Sequence, residues 1–178
     1  MYIDKWFKRL AFLSFSMFAG SVCLAAETPA AQPLFVIERS KNANKVHYVA
    51  RCTEKGVLDA RKPVHAFWIN WEKDSTGKNR EDLNFIEKRM AYGFSVDRSR
   101  SPHSCTIKLV CFKNRPIRVC LNEGTARAET IINGQSARLN KISVVTREKN
   151  TIVPHVLSVT ICGTDAETGE EITETIIP

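Results

Sequence analysis

The chain has 178 residues, of which 43% are apolar and 25% are charged, with 8 Gly and 7 Pro. This composition excludes collagen-like, low-complexity and disordered proteins, and the length favours one domain over two. The formal net charge is +7, but no basic helix concentrates it, so we expect no nucleic-acid partner.

The N-terminal segment has the pattern of a secretory signal peptide. A basic start is followed by an uncharged apolar stretch over 10–23, and small residues end the segment just before Glu27. The stretch is shorter than the roughly 20 apolar residues that cross a bilayer, so we expect cleavage and no remaining transmembrane span. We therefore predict an exported protein, periplasmic or extracellular, with a signal peptide over 1–25, a linker over 26–33 and a single domain over 34–178.

Most apolar segments after the linker alternate with period two, which is typical of half-buried strands. In one such segment Val46, Tyr48, Ala50 and Cys52 share a face. We therefore expect these four side chains to point into the core.

One segment has helical spacing instead. Leu83, Ile86 and Met90 recur at intervals of three and four residues, and Asn79 is placed to cap a helix. We predict a single α-helix at about 80–90.

Two hairpins are predicted from turn chemistry. Asn133-Gly134 suits a type I′ turn, because both residues tolerate the positive φ that this turn requires. A last hairpin joins 156–162 to 172–177, with Gly169 at a left-handed turn position. In the register of the first hairpin, Ile132 pairs with Gln135 and Glu129 pairs with Arg138.

A further turn at Arg115-Pro116 bears on the cysteines. If those two residues form the loop, Cys111 lies directly opposite Cys120, close to the spacing of a disulfide bond, although a change of one residue in the loop would misalign them. Export favours disulfides over metal ligation, and no CxxC pair occurs, so we expect no metal site. The pairing of the other three cysteines stays open; they are Cys52, Cys105 and Cys162.

The predicted elements sum to nine or ten short strands and one helix. We therefore predict a mainly β fold, a single antiparallel meander that forms a barrel or a barrel-like sandwich of about 8–10 strands. Closure is expected because it removes unpaired strand edges.

Five strings of the sequence carry a resemblance to a known family. They are IERSKNANKVHY (37–48), AYGF (91–94), RPI (115–117), RAE (127–129) and ING (132–134). Together they resemble an exported bacterial family called domain of unknown function 4833, over a span from about Pro33 to the C-terminus. The resemblance implies a compact β-rich domain behind a signal peptide, and it implies no activity. The cysteines do not belong to the shared pattern.

A polar segment within the first string is the main candidate for binding. Its side chains either hydrogen-bond their own backbone as a turn or converge on a polar or anionic ligand at the barrel mouth. Two arginines near a hairpin tip form a second candidate group, since guanidinium groups bind phosphate and carboxylate. The candidate ligand-binding residues are Arg39, Ser40, Asn42, Asn44, Lys45, His47, Tyr48, Arg115 and Arg118.

The large aromatic side chains have two interpretations. Phe67, Trp68, Trp71 and Tyr92 either pack in the core or line a ligand cavity, because small barrels do both.

No catalytic residue can be assigned from the sequence. None of the four histidines lies in an HxH or HExxH arrangement, and no nucleophile or phosphate-binding motif is present. We therefore predict a non-catalytic binding module without a cofactor, whose small ligand is polar, anionic or amphipathic. The alternatives are a structural or protein-interaction component of the cell envelope, with envelope protein partners, and a hydrolase with a site near His47.

Overall fold

A computed structural model describes residues 30–39, 44–69, 76, 79–147 and 155–178. Eleven strands dominate it, with one α-helix and one 3-10 helix. The strands are β1 (Ala30–Arg39), β2 (Lys45–Cys52), β3 (Val64–Ile69), β4 (Arg80–Asp82), β5 (Phe94–Arg98), β6 (Ser104–Leu109), β7 (Ile117–Asn122), β8 (Thr125–Ile132), β9 (Gln135–Arg147), β10 (His155–Asp165) and β11 (Glu171–Ile176). The α-helix is α1 (Phe85–Met90), and the 3-10 helix spans Val110–Phe112.

The strands form one curled sheet with two wings. The first wing has the order β4-β3-β2-β1, and the second has the order β8-β7-β6-β5. Strand β9 is 13 residues long and joins them, because one of its edges pairs first with β8 and then with β1. Its other edge pairs with β10, which in turn pairs with β11.

The mainly β class is confirmed, but the predicted single meander and closed barrel are wrong. Strands β1 and β9 run parallel, with Val36 opposite Lys141 and Arg39 opposite Val144. A parallel pair cannot be made by a hairpin, so it joins parts of the chain that turn signals do not connect. The sheet curls only into a half-barrel, and its eleven strands exceed the expected number.

Strand β1 begins inside the predicted linker. Its register with β2 shifts between Pro33 and Phe35, where proline has no N–H to donate. The side chain of Gln32 donates to the Gly124 carbonyl at 2.8 Å and accepts from the Ala126 N–H at 2.7 Å. These two bonds attach the start of β1 to the second wing.

The predicted inward face of β2 is confirmed. Val46, Tyr48 and Ala50 are fully buried, and the Tyr48 ring stacks on Phe35 with centroids 4.4 Å apart. The Tyr48 hydroxyl donates a 2.6 Å hydrogen bond to the Tyr92 carbonyl, just ahead of β5. This bond links the two wings through the core.

Both predicted hairpins after residue 125 are confirmed. Asn133 and Gly134 have φ values of 49° and 80°, as the type I′ turn requires, and the register pairs Glu129 with Arg138. In the C-terminal hairpin Gly163 pairs with Ile172, and Gly169 has a positive φ of 75°.

The predicted juxtaposition of Cys111 and Cys120 is wrong. Strand β6 ends at Leu109, and the 3-10 helix that contains Cys111 lengthens the loop beyond the two residues assumed. Cys120 instead lies opposite Ser104. The five cysteines of the described residues are free thiols.

The helix is shorter than predicted and is capped by a different residue. Residues 80–82 form β4 and pair with β3, so strand pairing overrides helical spacing there. Asn84 Oδ1 accepts the Glu87 N–H at 2.9 Å, and Glu87 Oε2 accepts the Asn84 N–H at 2.8 Å. This capping box places the N-cap five residues after Asn79, so that α1 begins at Phe85. Across the described ranges, no helix has the length and apolar character needed to span a membrane.

Candidate functional site

An apolar cleft of about 860 Å³ lies between α1 and the strip formed by β9, β10 and β11. Its size and lining fit the usual properties of small-molecule sites, which are mostly apolar with a few polar groups. A second depression of about 890 Å³ is lined by turn residues around Gly124, and it is more open and more polar. We therefore take the apolar cleft as the candidate site.

The floor of the cleft comes from the period-two pattern of paired strands. Ile142, Val144 and Thr146 alternate along β9 and therefore share one face. Val159 of β10 lies opposite Val144, and Ile176 of β11 lies opposite Val159. Hydrogen bonding thus places a continuous row of branched apolar side chains under the cleft.

The helix α1 forms one wall and presents apolar side chains to solvent. Phe85, Ile86 and Met90 are 72%, 68% and 59% exposed, and all three line the cleft. No residue of this six-residue helix is buried. A helix normally buries its apolar face, so this wall has unused apolar surface.

Arg39 and Tyr92 supply a polar edge. Arg39 is the last residue of β1, and its guanidinium lies near the Tyr92 hydroxyl. Burial raises the pKa of Tyr92, and the neighbouring Arg39 guanidinium opposes that rise. The Tyr92 ring also meets Trp68 edge-on, with centroids 5.0 Å apart.

Two further polar groups at the cleft have no hydrogen-bond partner among the described residues. They are the indole Nε1 of Trp68 and the hydroxyl of Thr146, and both atoms are buried. Thr146 is 5% exposed as a residue. Buried polar atoms are normally satisfied, so these two unpaired groups are exceptions among the residues that line the cleft.

The structure separates the candidate residues of the 37–48 segment. Arg39 lines the cleft, whereas Tyr48 lies in the core with its hydroxyl engaged by the Tyr92 carbonyl. Lys45 contacts Glu38 at 3.3 Å, on the opposite face of the sheet from Arg39. Two more candidates of this segment, Ser40 and Asn42, lie outside the described residues.

Asn44 and His47 also lie apart from the cleft. The His47 ring stacks on Phe67 at 5.9 Å, on the outer face of β2. Burial lowers the pKa of His47, and the nearby Lys45 and Arg80 lower it further, so the imidazole is neutral near pH 7. Asn44 Oδ1 and His47 Nε2 are buried without a hydrogen-bond partner in the described ranges. None of these contacts supplies the carboxylate that would orient a catalytic base.

The hairpin-tip arginines are engaged differently from each other. Arg115 forms two hydrogen bonds with Glu174, each 2.6 Å long, so its guanidinium is already paired. Arg118 is 65% exposed and lies 3.9 Å from Glu129. Neither residue lines the cleft.

The large aromatic residues named in the sequence as core or cavity residues lie in different parts of the structure. Trp68 and Tyr92 line the cleft, whereas Phe67 stacks with His47 outside it, and Trp71 lies outside the described residues. Thr146 could not be identified from the sequence, because a threonine in a period-two strand is an ordinary β-former. In the described part of the chain, no group of three or more His, Cys, Asp or Glu side chains could hold a metal ion.

Comparison with known proteins gives one match. The model of the family described as Domain of unknown function (DUF4833) matches residues 35–175. No curated protein and no solved structure matches the chain. The matched span begins within β1 and ends within β11, so it includes both wings and α1.

Proposed function

The chain belongs to the DUF4833 family, and we propose that it is a non-catalytic binding module whose cleft takes up the apolar part of a small amphipathic ligand. The observation that carries this proposal is the cleft of about 860 Å³, with a floor of branched apolar side chains and an exposed apolar helix as its wall. Burial of apolar surface contributes about 25 cal/mol per Å², so filling such a site stabilises a complex.

The lining also favours one of the ligand classes that the sequence left open. A purely polar ligand would leave its hydrogen-bonding groups unpaired against Val144, Val159 and Ile176. An amphipathic ligand places its apolar part there and its polar end beside Arg39. The proposal therefore favours the amphipathic class.

We also propose that the mature protein acts outside the cytoplasm. This rests on the basic, apolar and small-residue order of the first 25 residues. Cell fractionation tests it, with the expected result of a shortened chain in the exported fraction. A full-length chain in the cytosol would overturn this part of the proposal.

The test of the binding proposal uses 1-anilinonaphthalene-8-sulfonate, a fluorescent amphiphile, titrated into the mature chain. We expect saturable one-to-one binding that Ile86→Asp weakens by roughly tenfold, because a carboxylate would face the apolar part of the probe. Ile131→Asp is the matched control, since Ile131 is also exposed, at 52%, but does not line the cleft. Equal binding by both variants, or no saturable binding by the wild type, would refute the proposal.

A further inference from the structure

We propose that the ligand carries an acidic oxyanion head group, a carboxylate or a phosphate monoester, which is received by Arg39, Thr146 and Trp68 at one end of the cleft. This inference rests on the proposed binding function and adds the chemistry of the ligand's polar end. It follows from the charge of Arg39, from two unpaired hydrogen-bonding groups and from their common location.

Arg39 carries a positive charge that no described carboxylate neutralises. Within the described residues, no carboxylate forms an ion pair with its guanidinium. On the outer face of the same strands, by contrast, Lys45 and Lys141 both contact Glu38, at 3.3 and 3.0 Å. Arg39 lies near the Tyr92 hydroxyl and has no carboxylate partner among the described residues, and a guanidinium binds an oxyanion with charge-assisted hydrogen bonds.

Two buried polar atoms at the cleft have no hydrogen-bond partner in the described part of the chain. Trp68 Nε1 can only donate a hydrogen bond, and the Thr146 hydroxyl can donate one as well. Thr146 is 95% buried and lines the cleft. Arg39 and the two residues that carry these unpaired groups therefore line the same cleft, and a ligand group that pairs with all three must be rich in acceptors. A carboxylate or phosphate meets this requirement, whereas an ammonium group does not.

Arg39, Thr146 and Trp68 lie at the same end of the cleft. Arg39 lies opposite Val144 in the parallel pair of β1 and β9, and Thr146 lies two residues beyond Val144 on the same face. Neighbouring strands are about 4.8 Å apart and two residues span about 6.6 Å along a strand, so the backbones of Arg39 and Thr146 are about 8 Å apart, a distance that a long arginine side chain can span. Trp68 reaches the same region because its ring packs against Tyr92.

Two charged side chains of α1, Glu87 and Arg89, also line the cleft and contribute to its charge. Glu87 also lines the cleft, but its Oε2 accepts the Asn84 N–H at 2.8 Å in the capping box. The Arg89 guanidinium lies 6.0 Å from the centroid of the Phe85 ring and adds a second positive charge to the lining. Two cations and one engaged carboxylate favour an anionic ligand end.

The experiment measures the affinity of four amphiphiles that share a straight twelve-carbon skeleton, which in dodecanoate includes the carboxylate carbon, below their micelle-forming concentrations. They are dodecanoate, dodecyl phosphate, dodecanol and dodecyltrimethylammonium. We expect at least one of the two anions to bind roughly tenfold more tightly than dodecanol, and the cation to bind most weakly. The comparison of the two anions identifies the kind of oxyanion.

Variants assign the preference to the named residues. Arg39→Gln and Thr146→Val are expected to reduce the ratio of anion affinity to dodecanol affinity. Arg118→Gln removes the same charge outside the cleft and is expected to keep the preference. Circular dichroism of each variant confirms that it is folded before its affinity is interpreted.

The outcomes separate the two proposals. If dodecanol binds as tightly as both anions, the binding function stands and the head-group inference is wrong. If none of the four amphiphiles binds, the binding function itself fails. An anion preference that survives both Arg39→Gln and Thr146→Val also overturns the inference.

Discussion

Arg115 and Glu174 form a bidentate ion pair, with Nη1 bonded to Oε2 and Nη2 bonded to Oε1, each at 2.6 Å. Glu174 Oε2 also accepts the Asn133 N–H at 2.8 Å. The pair joins the β6–β7 connection to β11 and to the turn before β9. Its side chains are 22% and 19% exposed, so it is better shielded from solvent than the pair of Arg118 and Glu129.

We predict that Arg115→Ala lowers the free energy of unfolding by about 2 kcal/mol. The substitution removes two charge-assisted hydrogen bonds to Glu174 and a third, 2.7 Å long, to the Ile131 carbonyl, and it leaves a half-buried carboxylate without its cation. Arg118→Ala is the control, because Arg118 is 65% exposed and its contact with Glu129 is 3.9 Å long. Its cost is expected to be below about 0.5 kcal/mol. Chemical denaturation measures both values, and equal losses would contradict the prediction.

The ion pair of Arg115 and Glu174 should stabilise the fold less at low pH than at neutral pH. Hydrogen bonds from Arg115 hold the pKa of Glu174 at about 2 in the folded chain, against an ordinary value of 4.5. A carboxyl group with a depressed folded pKa stabilises the protein above its unfolded pKa, and this contribution disappears as the pH falls through the folded value. The difference in unfolding free energy between wild type and Glu174→Gln should therefore be constant above about pH 5 and shrink from about pH 4.5 towards 2. A difference that does not change over this range would refute the assignment.

The hydroxyl of Tyr48 gives a third prediction. Tyr48→Phe leaves the buried Tyr92 carbonyl without its 2.6 Å hydrogen bond, at an expected cost of about 1–3 kcal/mol. Thr160→Val is the matched control, because it also removes one hydroxyl, from an exposed 3.1 Å contact with Thr175. The control should change stability by less than about 0.5 kcal/mol. Thermal unfolding distinguishes the two, and an unchanged midpoint for Tyr48→Phe would contradict the prediction.

Local chemistry explains which parts of the fold could be predicted from the sequence. The Asn133-Gly134 turn depends on the φ preferences of two adjacent residues, and alternation along β2 depends on a pattern within one segment. The parallel pairing of Arg39 with Val144 joins strands that are distant in sequence, and no local pattern encodes it. The half-barrel and its cleft follow from that pairing, so they could not be predicted.

The candidate site was partly predictable for the same reason. Arg39 stands out as a charged residue in a distinctive polar segment, and Tyr92 as a large aromatic. The spacing of Ile86 and Met90 predicts a helix with an apolar face. Periodicity does not show whether another element covers that face, and the structure leaves both side chains exposed. Whether Thr146 has a hydrogen-bond partner depends on the three-dimensional surroundings of its hydroxyl, which its strand pattern does not contain.

A fourth prediction concerns the attachment of α1. Gly93 is buried, and a Cβ added there would overlap the backbone carbonyl of Lys88 in the last turn of the helix. Backbone atoms cannot rotate away as a side chain can, so Gly93→Ala should displace the helix at a cost of about 2 kcal/mol or more. Gly56→Ala is the control, because its φ of 68° is unfavourable for alanine but no atom lies within 4 Å of the added Cβ. Chemical denaturation measures the free energy of unfolding of both variants, and we expect the control to lose about 1 kcal/mol. A smaller loss for Gly93→Ala than for Gly56→Ala would contradict the close packing of Gly93 against α1.

The last prediction uses Cys111 as a reporter of cleft occupancy in the reduced protein. Cys111 is an exposed residue that lines the cleft, whereas Cys162 lies on β10 and does not line it. Desolvation raises the pKa of the Cys111 thiol, so its alkylation should be slower than that of a free thiol but measurable at pH 8. Dodecanoate is expected to slow alkylation of Cys111 by roughly tenfold when the cleft is nearly saturated, because the bound chain covers the thiol. Cys162 in the same molecule is the internal control and should react at an unchanged rate. Mass spectrometry of the two cysteine-containing peptides over time measures both rates, and equal slowing of the two thiols would show that dodecanoate acts somewhere other than the cleft.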